Sequence, residues 1–346
     1  MSLAQHQFAT FVRLFLLRLT FTGLAFCAFA SSTLSLAAQP MRAEYDEATG
    51  RVDLMEGDAV VLSYNYHTVS PPEGMLEKVQ PNNLKYAQPR SDYIHPLFGP
   101  DGEILTDDWS PDHPHHRGIY WAWPEVDYKG ERGDLHALQR VFSRPTGKVD
   151  VRSGDGFAEV EAENVWKWED NTPIVREVVT IRAYPAENNG RFVDLKFCFT
   201  AIEEDVTLAR RQTNLYGGVN VRLSPVRELE IVKQIDVQDA TPRQAWADSI
   251  GIRRGGTQSV GVAIFPKATN SQYPGEWIDY PELPWLQPTF PTAGTRYTLK
   301  KGEPLVLEYR LWIRPGGKAD EAEYSRQWRA YQDQHNKNGQ DHDQHK

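Results

Sequence analysis

Apolar positions along this chain mostly alternate with polar ones; they seldom recur every three or four residues. Arg191 to Ile202 is the clearest case, with Phe192, Leu195, Phe197 and Phe199 standing among polar partners. Successive side chains of an extended strand point to opposite faces, so this pattern predicts a strand buried on one side. The same reading predicts strands in Arg51 to Tyr66, Lys148 to Val151, Phe157 to Trp168 and Pro173 to Tyr184. Later ones fall in Val219 to Leu223, Val260 to Phe265, Arg296 to Leu299 and Leu305 to Ile313. Turn-forming clusters separate them: Ser153-Gly154-Asp155-Gly156, Asn188-Asn189-Gly190 and Lys300-Lys301-Gly302-Glu303. Many strands with no helical period between them predict an all-β chain folded as a large antiparallel β-sandwich. Only Lys318 to Gln334 has helical character, with Ala319, Ala322, Trp328 and Tyr331, acids early and arginines later. It predicts one C-terminal helix laid on the sandwich by its apolar edge. No repeat or linker divides residues 39–334, which read as one domain followed by a polar, disordered tail, 335–346.

The first 38 residues follow a different pattern. Arg13 and Arg18 precede an apolar run, Leu19 to Ala30, and small residues then lead to Ala37 and Ala38. This predicts a signal peptide cleaved near Ala37 or Ala38, hence a periplasmic or secreted protein. Phe26 is too large to precede a lipidated cysteine, which argues against Cys27 as an anchor. Nothing after residue 40 approaches the run of about 20 apolar residues that a membrane helix needs. Cleavage leaves 36 basic residues against 47 acidic ones and moves the formal charge from -9 to -11. Such a surface disfavours nucleic acid and anionic membrane as partners but not a neutral sugar. Cys198 is then the one cysteine left, so no intrachain disulfide can form; Phe197-Cys198-Phe199 reads as a strand with an inert buried thiol.

The densest chemistry lies in Pro111-Asp112-His113-Pro114-His115-His116-Arg117-Gly118. Three of the nine histidines beyond the leader fall within four positions. Buried imidazoles need partners, so a core role is costly, whereas neutral histidine binds metals and moves protons near neutral pH. Trp109, Tyr120, Trp121 and Trp123 flank the cluster. Flat aromatic faces beside polar groups suit a sugar-binding cleft. A proline-rich loop whose histidines bond backbone carbonyls is the structural alternative.

The layout resembles a family of secreted bacterial proteins labelled "PmoA family". The resemblance rests on His95-Pro96-Leu97-Phe98-Gly99-Pro100-Asp101-Gly102, Thr106-Asp107-Asp108 and the histidine segment. It continues through Tyr216-Gly217-Gly218 with Arg222, Trp246-Ala247-Asp248-Ser249, Gly261 to Phe265, and Asn270, Pro274 and Trp277. The chain departs from that pattern at Ile278 to Leu286, where extra acids and prolines appear. The label implies a membrane methane-oxidising subunit, which the absence of long apolar runs after residue 40 opposes. By analogy the architecture is similar to the galactose mutarotase-like supersandwich, in which a histidine and a carboxylate flank a sugar ring.

Acid–base chemistry on a sugar needs a proton donor and an acceptor on either side of the reacting bond. His113 and His116 are the candidate donors; Asp248 and Glu177 are the candidate carboxylates. Trp109, Arg117, Trp121, Tyr216, Arg222, Trp246 and Trp277 are candidate ligand-binding residues, the arginines as clamps for an acidic sugar and the tryptophans as stacking platforms. Trp285, in a loop, is a further platform. A divalent metal is the candidate cofactor, held by two or three of His113, His115 and His116 with Asp112; on an extended backbone His116 faces away from the other two, and Pro114 allows the bend that would bring it round. No serine-hydrolase elbow, Walker loop or dinucleotide-binding glycine pattern is present. Two readings follow: an exported enzyme acting on a glycoside or sugar, as hydrolase, lyase or epimerase, and a non-catalytic sugar-binding protein.

Overall fold

The computed structural model describes residues 39–187, 189–234 and 245–338, with side chains through residue 334. The expected leader, residues 1–38, and with it Cys27, lies outside the described residues, as does the chain from residue 339.

Two eight-stranded sheets form the sandwich. In the first, the strands run in the order Met41–Asp46, Arg51–Glu56, Ala59–Asn65, Tyr93–Leu97, Ile119–Ala122, Gly218–Arg222, Trp285–Pro288 and Trp277–Tyr280. In the second, the order is Val226–Lys233, Ala247–Arg253, Ser259–Pro266, Pro304–Pro315, Arg191–Ala201, Thr172–Ala183, Phe157–Trp168 and Val141–Gly154. Neighbouring strands are antiparallel throughout. A four-stranded sheet (Tyr297–Leu299, Val206–Ala209, Glu125–Tyr128, Glu131–Gly133) completes the β-structure. The expected antiparallel β-sandwich is therefore the fold.

Alternation explains the two layers. Val193, Leu195, Phe197 and Phe199 of Arg191–Ala201 are buried, while Cys198 on the other face is only half-buried. The inner faces meet through large rings: Trp121 lies 4.3 Å from Phe197, and Trp123 packs on Trp166 at 5.6 Å and Phe199 at 5.3 Å. Each fully buried aromatic contributes on the order of 2–3 kcal/mol from apolar area alone.

The helix spans Glu321–Asn338, so the backbone continues past Gln334, where the tail was expected to begin. Tyr324 and Tyr331 pack with Trp246, Phe265 and Trp312 on the second sheet. No helix among the described residues is long and apolar enough to cross a membrane.

Candidate functional site

The short strand Ile119–Ala122 is buried at all four positions, unlike most strands of the chain. Trp121 points inward, its indole N–H donating to Glu177 of the opposite sheet. Tyr120 must then face outward. Its antiparallel partner is Asn220, and two residues on, Arg222 pairs with Trp285. The outer face thus carries Tyr120, Asn220, Arg222 and Trp285 side by side. Loops cover this face and bury it.

The histidine segment is the first of these loops, and its backbone is tied down at both ends. Asp107 N–H donates to Arg222 O at 3.1 Å, Gly118 N–H to Asp107 O at 2.7 Å, and Arg222 N–H to Gly118 O at 2.9 Å. A turn closes between His113 O and His116 N–H at 2.9 Å. Gly118 sits at φ +57°, and a Cβ there would stand 2.1 Å from Ile94 O. Only glycine fits both constraints. Asn83 Nδ2 holds Asp112 O at 3.0 Å from the far side.

A second loop brings in His136. Arg90 donates to Leu135 O at 2.6 Å and His136 O at 3.0 Å, with its guanidinium 4.6 Å above the Tyr120 ring. Asp134 accepts from Ala137 N–H at 2.8 Å and from Arg211 at 2.5 Å. The Nε2 atom of His136 lies 2.9 Å from the Tyr120 hydroxyl.

His115, His116 and His136 converge, each offering a ring nitrogen within 4.8 Å of the others. His116 is sandwiched between His113 at 4.8 Å and Trp285 at 5.2 Å, with His115 edge-on at 4.4 Å. Burial pushes the His115 imidazole down to about 3, with His113 and nearby arginines adding to the effect. Burial and the neighbouring histidines hold His116 well below its ordinary value. Burial, His115 and Arg90 do the same for His136. All three rings are neutral at pH 7, the form that ligates metals and accepts protons. Nδ1 of each of the three is buried without a hydrogen bond. Asn220 bears on the His136 ring, but its amide is bonded to Gly218 O and Gln287.

These rings floor a cleft of about 530 Å³. Its walls are Asn83, Tyr86, Asp112, His113, Ala137, Arg211, Tyr216, Tyr280, Glu282, Leu283 and Trp285. Tyr280 stacks on Trp285 at 5.1 Å with an 11° interplanar angle. At the rim His113 Nδ1 lies 3.0 Å from Asp112 Oδ2. Burial pushes the Asp112 carboxyl up, but the His113 hydrogen bond and the Arg222 charge outweigh it and hold it low.

Of the residues singled out from sequence, His113, His115, His116 and Tyr216 line the cleft, together with Trp285. The divergent stretch Ile278 to Leu286 supplies Tyr280, Glu282, Leu283 and Trp285. Arg222 stands at its edge, bonded to Ser110 at 3.2 Å and 3.6 Å from both Asp107 and Asp112. Of the histidines expected to hold a metal, His115 and His116 gather with His136 within 4.8 Å, while His113 Nδ1 is turned to Asp112. No spacing signal ties His136 to the cluster, because only strand pairing and the Arg90 contacts bring it there.

The other candidates are absent from the cleft lining. Arg117 is fully buried, paired with Asp108 and stacked 3.7 Å from Trp109 and 4.6 Å from Tyr93. Trp109 packs with Met75, Val79 and Ala87, so this pair braces the loop from beneath. Trp121 lies in the sandwich core. Glu177 is held there by the indoles of Trp121 and Trp166 and hydrogen-bonds Asp92. Asp248 accepts from Arg314 at 2.5 Å and Tyr324 at 2.6 Å, beneath the helix, where Trp246 stacks on Tyr324 at 4.3 Å. Trp277 lines a separate hollow with Tyr273 and Tyr309. Trp121, Glu177, Asp248 and Trp277 lie on strands and follow them to one face or the other, whereas Trp109 and Arg117 belong to the loop itself.

A sandwich with one buried, histidine-rich cleft is the class of protein that fold and site define. Residues 51–329 match the family of unknown function DUF6807, and the chain belongs to that family. The PmoA label stays a resemblance carried by the motifs. No curated protein matches the chain. Among solved structures it is similar to a protein described as a kojibiose phosphorylase from the human microbiome, at 9% identity and a TM-score of 0.32 over 68% of this chain and 26% of that one. It is also similar to a polysaccharide lyase, at 15% identity and a TM-score of 0.32 over 80% of this chain and 33% of that one. The chain thus spans about a quarter to a third of those proteins, and likeness at this level carries no argument here.

Proposed function

We propose that this protein is an exported enzyme that binds a saccharide in the histidine cleft and transforms it by proton transfer, as a hydrolase, lyase or epimerase. One observation carries the reading: four histidines, a carboxylate hydrogen-bonded to one of them, and stacked aromatic rings converge in one cleft of about 530 Å³. The volume suits one or two sugar rings. The half-buried ring of Tyr280, backed by Trp285, provides the apolar platform that a pyranose face covers. Asn83, Arg211 and Glu282 provide directional hydrogen bonds. His113, hydrogen-bonded to Asp112 at the rim, serves as proton donor, and Glu282, a second carboxylate in the same lining, as acceptor. Glu282 takes the part first expected of Asp248 or Glu177, whose bonds lie elsewhere.

The test is a panel of glycans and glycosides read by tryptophan fluorescence, with Trp285 as reporter, and by product analysis. A ligand of the cleft should be converted, and Tyr280→Ala should weaken its binding roughly fivefold to tenfold, the worth of about 1 kcal/mol of stacking. Binding without product assigns the cleft to a non-catalytic sugar-binding protein. A panel that yields neither signal removes the saccharide.

A further inference from the structure

We infer that His115, His116 and His136 form a three-histidine site for a borderline divalent cation of the zinc class, open on its fourth side to the cleft. The site sits in the cleft just discussed, but its test needs no saccharide, so the two readings fail independently.

Three features carry it. First, the donor nitrogens are already gathered within 4.8 Å of one another. Zinc–nitrogen bonds of about 2.0–2.1 Å in tetrahedral geometry place nitrogens about 3.3 Å apart, so small ring rotations close the set. Second, Nδ1 of each ring is buried without a hydrogen bond. Three orphaned nitrogens in one cluster would cost stability without return unless something else pairs them. Third, the shell around them is built to orient one ligand. The Tyr120 hydroxyl, 2.9 Å from His136 Nε2, can accept that N–H and so leave the Nδ1 lone pair free for an ion. Arg90 in turn clamps the His136 backbone and covers the Tyr120 ring.

The donor set also selects the ion. Three neutral imidazoles with no carboxylate among them suit zinc, cobalt, nickel or copper and offer little to magnesium or calcium, which prefer oxygen. Because no ligand is anionic, the bound ion keeps its full charge to polarise a water or a substrate oxygen arriving from the cleft.

The full chain beyond the leader, untagged and stripped with a chelator, is titrated with Zn2+ by calorimetry and with Co2+ by visible absorption. The expected result is one equivalent per chain and the d–d bands of four-coordinate, nitrogen-bound Co2+. His116→Ala and His136→Ala should each weaken Zn2+ binding at least a hundredfold, and Tyr120→Phe tenfold to a hundredfold. His67→Ala should change nothing, and the tail histidines, present in every variant, cancel. Circular dichroism establishes that each variant is folded; where one fails to fold, His115→Ala takes its place. The inference is overturned by less than about a tenth of an equivalent bound to the unmodified protein, by six-coordinate Co2+ spectra, or by undiminished binding in a folded histidine variant.

Discussion

Asp92 and Glu177 show what a single buried residue can impose. Glu177 is fully buried between two indoles, and Asp92 accepts from the Tyr64 hydroxyl at 2.7 Å, Asn164 at 2.9 Å and Ser143 at 2.9 Å. Burial raises both carboxyls, Glu177 well above its ordinary value, with the Asp92 charge pushing it further. The pair keeps a proton that the unfolded chain releases above the ordinary carboxylate range, about pH 4. Stability is therefore greatest at low pH on this account and falls as pH rises toward the raised value, by up to about 1.4 kcal/mol per pH unit. The buried histidines, held below their ordinary value, act in the opposite sense below about pH 6.5 in both the unmodified protein and Asp92→Asn. The effect is therefore read by difference: the urea midpoint of Asp92→Asn should fall less with rising pH than that of the unmodified protein, because one of the two charges is gone. An unchanged slope in that variant would show that another group sets the alkaline loss. From sequence, Glu177 is a candidate carboxylate second to Asp248, with pairing to a neighbour as its alternative; which face of the strand it occupies is set by pairing across the sheets.

Elements divide into those with one wet face and those with none. Arg191–Ala201 and Phe157–Trp168 alternate, and the sequence reading found both. Ile119–Ala122 and Trp285–Pro288 are buried on both faces, carry no alternation, and were not predicted as strands. They are the strands that place Tyr120 and Trp285 under the cleft, so the least legible elements hold the site. The C-terminal helix was legible, and its role proves to include Asp248. Tyr324→Phe removes a hydroxyl that donates to Asp248 at 2.6 Å and accepts from Arg314 at 2.8 Å. Hydrogen bonds to a buried charge contribute about 1.5–3 kcal/mol each, so a stability loss of roughly that size is expected. Ligand and metal binding in the cleft should not change. Loss of either in folded Tyr324→Phe or Asp248→Asn would return Asp248 to the site.

For the molecule as a whole, the leader expected from the sequence and the acidic charge bear on where the chain works. Export with cleavage near Ala37 or Ala38 predicts a mature terminus within a few residues of Gln39, read by N-terminal sequencing of the exported chain. Recovery of that chain with Met1 intact would defeat this. Period-two alternation and turn chemistry were enough to derive an antiparallel sandwich with one terminal helix, because strand amphipathicity is a local property of the chain. The clustering of His113, His115 and His116 is local in the same way, and it marked a loop that lines the cleft. Tertiary structure alone decided that His136 joins His115 and His116 and that Trp109 and Arg117 brace the loop from below. It also placed Asp112, rather than Asp248 or Glu177, beside a cleft histidine. Those outcomes depend on which strands become neighbours and which faces they turn outward, and residues such as Tyr120 and Asn220, 100 positions apart, meet only when the sheet assembles.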